Sequence, residues 1–190
     1  MIKNIILDVG GIIFDDSQNN IEKILDKKCD YIYKIAYGKG FKKCLLGEMN
    51  VQEYIDSLMN EKDFKDIERI LKKDNLKESY PLIKCNFKYI KKLKKDGYKL
   101  FLLTNITEDS YNYINSIIHI NDIFDGGIYS YQEHLIKPNH DIYNLIINKF
   151  NLNKEETLFF DDKEKNVIAA KEIGLKAVLF TSIMDINNNI

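Results

Sequence analysis

Four short stretches hold residue types that can do chemistry together. ILDVGG ends an apolar run on Asp8 and follows it with Gly10 and Gly11. LLTN closes on Thr104 and Asn105, LIKPN carries Lys137, and LFFDD closes on Asp161 and Asp162. A carboxylate can attack phosphorus and become an aspartyl phosphate. Two carboxylates from different strands can hold Mg2+, a hard cation that takes oxygen ligands. A threonine hydroxyl and backbone N–H groups can hold phosphoryl oxygens, and a lysine ammonium can balance charge between nucleophile and phosphate. Glycines beside the nucleophile let the backbone approach the phosphate closely. Taken singly, each feature is also what a turn, a helix cap or a solvated loop uses. Their common placement is what points to a site.

That placement depends on the elements around them. The runs 2–8, 98–105, 157–162 and 176–182 are apolar with little alternation, as suits parallel strands covered on both faces. A weaker fifth run is 126–130. Helical spacing recurs in 84–96, 139–150 and 163–173, with Gly97 and Gly174 as stops. Alternating strand and helix predicts an α/β fold with a doubly wound parallel sheet. In such a sheet ligands bind beyond the carboxyl ends of the strands, which is where Asp8, Thr104 and Asp161 fall. Between the first strand and the rest lie only amphipathic stretches, 19–27, 29–37, 51–60 and 64–73. Pro81 and the polar residues before it mark a boundary. The expected organisation is a core of 1–16 and 82–190 with a small helical unit, 17–81, inserted after the first strand.

Composition narrows the function classes. The 190 residues are 45 % hydrophobic and 30 % charged, ordinary for a soluble globular chain. With 28 basic and 29 acidic residues the net charge is −1, so no global field draws in nucleic acid or membrane. Arg69 is the sole arginine, and arginine is the usual fork for base edges and phosphates, so no nucleic-acid partner is expected. No run approaches the roughly 20 apolar residues of a membrane span. Lys3 and Asp8 bound too short an apolar stretch for a secretory leader. Cys29, Cys44 and Cys85 form no CxxC pair and are expected as small buried hydrophobes in a reducing, cytoplasmic compartment. His119, His134 and His140 are too scattered for a metal trio, and Tyr31, Tyr33 and Tyr37 at helical spacing read as core.

The motifs resemble those of the haloacid dehalogenase superfamily, aspartate-nucleophile hydrolases that include many phosphatases. All four family motifs occur in order, from ILDVGGIIFD through Thr104 and the KPNHDIY string to FFDDKEKNVIAAKEIG. The resemblance implies a Rossmann-like three-layer core with a helical cap over it and Mg2+ as cofactor. It implies Asp8 as nucleophile and metal ligand, the Gly10 carbonyl and Asp162 as further ligands, and Asp161 and Asn166 as outer partners. Thr104, Asn105, Gly10, Gly11 and Lys137 would serve the phosphate. The implied activity is a phosphomonoesterase acting on a small phosphorylated metabolite such as a sugar phosphate. The dehalogenase branch fits less well, because its members use carbon chemistry without the acidic pair.

One position departs from the pattern. Most phosphatases of this family carry an acid/base aspartate two residues after the nucleophile, where this chain has Gly10. General acid catalysis contributes about 10²–10⁴-fold. Three outcomes are open: a substrate with a good leaving group, a substitute acid such as Asp15 or Asp16, or a weakly active or non-catalytic phosphate-binding relative. A phosphorylated receiver module would also use Asp, Thr and Lys. It would place its acidic pair after the first strand, however, and has no room for a long helical insert.

Overall fold

The computed structural model describes residues 1–190. Five parallel strands, β1 (Asn4–Leu7), β2 (Lys99–Thr104), β3 (Gly126–Tyr129), β4 (Thr157–Asp161) and β5 (Lys176–Leu179), form one sheet in the order β3-β2-β1-β4-β5. All five apolar runs are strands, the weaker 126–130 included. The reason for their continuous apolarity is visible in the packing. Ile5, Leu7, Leu100, Leu102 and Phe160 join a buried cluster on one face, while Ile6, Phe101, Leu103 and Phe159 join a second on the other. Phe159 and Phe160 are both fully buried, and each such side chain contributes roughly 1.5–3 kcal/mol.

β1 is central, with Leu7 in register with Leu102 of β2 and Phe160 of β4. The chain order reverses on either side of it. The crevice beyond the end of β1 is therefore the switch point where open α/β sheets bind ligands, and Asp8 is the next residue.

Six helices follow β1: α1 (Gln18–Leu25), α2 (Asp30–Ala36), α3 (Lys42–Leu45), α4 (Val51–Ser57), α5 (Phe64–Leu71) and α6 (Leu76–Ser79). Ile67, Ile70 and Leu71 on α5 bury one helical face against Ile21, Ile24, Ile32 and Ile55, a cluster separate from the two on the sheet. The chain leaves and re-enters this helical segment beside itself: the Asp15 N–H donates to Pro81 O at 2.9 Å and the Ile83 N–H to Ile13 O at 2.8 Å.

The remaining helices cover the sheet: α7 (Lys84–Lys95), α8 (Glu108–Ile118), α9 (Ile120–Ile123), α10 (Ser130–Glu133), α11 (His140–Lys149), α12 (Glu164–Glu172) and α13 (Ile183–Asn187). The expected helices at 84–96, 139–150 and 163–173 are α7, α11 and α12. The helix α8 buries Ile114 and Ile118 against the sheet, and its N-terminus is capped. The Thr107 side chain accepts from the Ser110 N–H, and Glu108 and Asp109 lie in the first turn, where acids complement the helix dipole. No helix is long and apolar enough to cross a membrane. Cys29 and Cys44 are buried as expected, but Cys85 is exposed, because it sits on the outer side of α7.

Candidate active site

Each chemical side chain arrives at the same end of the sheet. Asp8 follows β1, Thr104 ends β2, Asp161 ends β4 with Asp162 next, and Lys137 lies in the loop before α11. Asp8, Thr104, Lys137, Asp161 and Asn166 are all at least 96 % buried. Buried charges are costly unless paired, and here they are paired with one another. Lys137 Nζ lies 2.9 Å from Asp8 Oδ1 and 2.6 Å from Asp161 Oδ2. Asn166 Nδ2 donates to both Asp161 oxygens, at 2.9 and 3.0 Å, and the Lys163 N–H donates to Asp161 Oδ1 at 2.8 Å.

The loop that carries Lys137 is held by Asn105. The Asn105 amide donates to Lys137 O at 3.0 Å and its oxygen accepts the Lys137 N–H at 2.8 Å. Both ends of the Asn105 side chain are thus spent on positioning the lysine, while the residue itself borders the cavity described below. Gly11 departs from expectation. Its N–H donates to Phe14 O at 2.8 Å, so it is not free for a phosphate. Its φ of +70° and its lack of a side chain instead make room for Asp162, whose carboxylate would lie 2.6 Å from a Cβ there. Gly10, Thr104 and Lys137 do border the cavity described below.

Electrostatics show a site short of positive charge. Burial pushes the Asp8 carboxyl up, to about 6, against the attraction of Lys137, and Asp161 adds repulsion. Burial likewise pushes Asp162 up despite Lys163 nearby. For Asp161 burial is outweighed by Lys137, the Lys163 N–H and Asn166, which hold its carboxyl below the usual range. One oxygen each of Asp8, Asp161 and Asp162 lie within 4.8 Å of one another, and Asp162 Oδ1 is buried without a partner. Three hard oxygen donors around an unsatisfied buried carboxylate oxygen fit a divalent cation such as Mg2+. Asp161, with both oxygens engaged by protein donors, is the carboxylate least available to it.

Above this cluster is a cavity of about 360 Å³. Its floor is Asp8, Thr104 and Lys137. Its far wall comes from the helical segment: Ile21, Tyr33, Tyr37, Phe41, Leu45 and Leu76. Tyr33 and Tyr37, expected as core, pack against the core of the helical segment and also border the cavity, while Tyr31 is exposed. Phe41 and Leu45 come from the glycine-bearing stretch 38–47. Phe14 is wholly buried and stacks on Tyr80 at 5.3 Å. His134 Nδ1 bonds Leu46 O at 2.7 Å and does not line the cavity. Sequence reasoning overlooked Lys163, a cavity residue whose side chain reaches Asp16 at 3.3 Å. Its position directly after the acidic pair was the available signal.

The family model for haloacid dehalogenase-like hydrolases matches residues 5–180. The chain belongs to that family. A sesquiterpene phosphatase of Aspergillus oryzae is 30 % identical over 92 residues, 48 % of this chain and 47 % of the relative, so the matched part spans about half of that protein. A haloacid dehalogenase family enzyme of Bacteroides thetaiotaomicron, solved as a magnesium complex, shares the fold with a TM-score of 0.79 at 18 % identity, over 100 % of this chain and 99 % of that one. A predicted hydrolase of the same family from Porphyromonas gingivalis superimposes with a TM-score of 0.75 at 26 % identity, over 99 % and 97 % of the two chains. This haloacid dehalogenase-like hydrolase thus has a family-wide match, not a local one.

Proposed function

We propose that this hydrolase is a Mg2+-dependent phosphomonoesterase that works through an aspartyl phosphate on Asp8. The observation that carries the reading is the buried Asp8–Lys137–Asp161 chain beside a third carboxylate, all opening on one cavity. Asp8 Oδ1 is held by the Val9 N–H at 2.7 Å and by Lys137 at 2.9 Å, which leaves Oδ2 to attack phosphorus. Lys137 neutralises charge that builds on the phosphoryl group, and the Thr104 hydroxyl at the end of β2 orients it. Asn105 positions the lysine. Asp8, the Gly10 carbonyl and Asp162 would hold Mg2+, which supplies charge neutralisation when bound. An acidic trio serves phosphorus chemistry and has no use in displacement at carbon, so the reading favours a phosphate ester over a haloacid.

The helical segment acts in this reading as a cap that contacts the organic part of the substrate. Its wall offers aromatic rings and aliphatic side chains, with the Tyr37 hydroxyl turned away to Ile70 O at 3.3 Å. The hydroxyl-bearing residues Tyr33, Ser79, Thr107 and Ser110 border the same cavity. The apolar part of the wall suits a phosphate ester whose alcohol carries apolar surface, and the similarity to a sesquiterpene phosphatase supports that preference. A phosphate binder without turnover is the competing reading, because residue 10 carries no acid.

The test is phosphate release from p-nitrophenyl phosphate, an isoprenoid monophosphate, glucose 1-phosphate and acetyl phosphate, with Mg2+ or EDTA. Release that needs both Mg2+ and Asp8, and is lost in Asp8→Asn, is the expected result. No release from any ester while Mg2+ still binds would leave only the binding protein.

A further inference from the structure

Hydrolysis of an aspartyl phosphate needs a group to take a proton from water as it attacks. Among the residues around the cavity, only two are carboxylic acids, Asp8 and Asp16, and none is histidine. Asp8 is consumed as the nucleophile. Both oxygens of Asp161 are spent on Lys137, Asn166 and the Lys163 N–H. The cavity tyrosines Tyr33, Tyr37 and Tyr80 stay protonated, because burial pushes their phenols up.

Asp16 is placed in an unusual way. Its Oδ2 lies 2.6 Å, and its Cγ 3.0 Å, from where a Cβ on residue 10 would stand. The carboxylate fills the space that a side chain at position 10 would occupy, two residues past the nucleophile. Gly10 is thus the condition for Asp16 to reach the site. Lys163 Nζ donates to the same Oδ2 at 3.3 Å, and the Asp16 side chain keeps 39 % exposure and borders the cavity. Its neighbour Asp15 is turned away, with Oδ1 accepting the Ser17 N–H at 3.0 Å.

We propose that Asp16 is the general base for breakdown of the phospho-Asp8 intermediate, entering through the gap at Gly10 in place of a side chain on residue 10. The inference rests on the phosphomonoesterase reading above. In the step, the water oxygen bonds to phosphorus while the bond from phosphorus to Asp8 Oδ2 breaks. The electron pair returns to the Asp8 carboxylate, the water proton passes to Asp16 Oδ2, and inorganic phosphate departs. The proton then leaves to solvent through the open cavity. Lys163 is a positioning residue that holds the base.

The experiment follows p-nitrophenyl phosphate with Mg2+ in four forms of the full chain: wild type, Asp8→Asn, Asp16→Asn, and Gly10→Asp combined with Asp16→Gly. The readouts are nitrophenolate release and the intact mass of acid-quenched protein. Asp16→Asn should show a burst of nitrophenolate close to the enzyme concentration, then steady turnover slower by about 10²–10⁴-fold. Its quenched protein should carry the mass of one phosphoryl group, an adduct that Asp8→Asn lacks. The double variant puts a carboxylate back into the same space and should clear the adduct. Asp16→Asn turning over like wild type, or slowing with no adduct, would overturn the role of Asp16 and leave the phosphatase reading standing. A wild type that releases no nitrophenolate would remove both.

Discussion

Lys137 Nζ stands between two buried carboxylates, 2.9 Å from Asp8 and 2.6 Å from Asp161. The lysine is 98 % buried, so water cannot replace either contact. Breaking a buried pair by removing one partner costs about 3–5 kcal/mol, because an uncompensated charge remains. Lys137→Met should lower the urea unfolding free energy by that amount and abolish phosphate release. Adding Asp161→Leu should recover part of the stability and none of the activity, since only one of the two orphaned charges is removed and the charge on the phosphate stays unbalanced. Equal stability of wild type and Lys137→Met would mean the lysine is not the partner that the distances imply.

Gly11 separates backbone strain from damage to the site. At φ +70° an alanine costs roughly 1–3 kcal/mol, and its Cβ would also press on the Asp162 carboxylate at 2.6 Å. Gly174 has φ +79° with nothing within 4 Å of the same atom. Both alanine variants should melt earlier than wild type. Only Gly11→Ala should raise the Mg2+ concentration needed for half-maximal activity. A shift of that requirement in Gly174→Ala as well would tie it to general loosening of the fold.

Mg2+ should stabilise the fold in the absence of any substrate. A ligand at about 100 times its dissociation constant adds about 2.7 kcal/mol if it binds only the folded state. Thermal melting of the wild type should therefore rise with Mg2+ and fall back on addition of EDTA. Asp162→Ala removes the carboxylate whose Oδ1 is buried and unpartnered, and its melting temperature should no longer respond. A full response in that variant would move the cation elsewhere.

Away from the site, Asp125 ties α7 to the edge of β2. Its Oδ2 accepts from Lys94 Nζ at 2.7 Å and from the Leu100 N–H at 2.8 Å. Partial burial opposes its ionisation, but Lys94 and the Leu100 N–H outweigh burial and hold the carboxyl below the usual aspartate range. The folded pKa is thus depressed, so the stabilisation is fully present above the unfolded value of about 3.9 and is lost as pH falls through the lower folded one. Asp125→Asn should be less stable than wild type at about pH 7, and the deficit should narrow at about pH 2. Urea titrations at the two pH values check this, and an equal deficit at both would rule out the charge as its source.

Much of this protein is legible along the chain. Continuous apolar runs over 2–8, 98–105, 157–162 and 176–182 can only be doubly covered strands or short buried helices, and their length and β-rich content decide between these. Because ligands gather where parallel strands end, Asp8, Thr104 and Asp161 declare the site by following such runs. The glycines, the acidic pair and Lys137 are likewise local signals. The tertiary structure decided the rest, for one physical reason: periodicity names the face of an element but not the neighbour that face meets. Asn105 belongs to Lys137 because the loop before α11 folds back over the end of β2. Tyr33 and Tyr37 line a cavity because the helical segment leans over the sheet. Asp15 and Asp16 are adjacent and chemically identical, and only the course of the chain after Phe14 turns one to the backbone at Ser17 and the other into the gap left by Gly10.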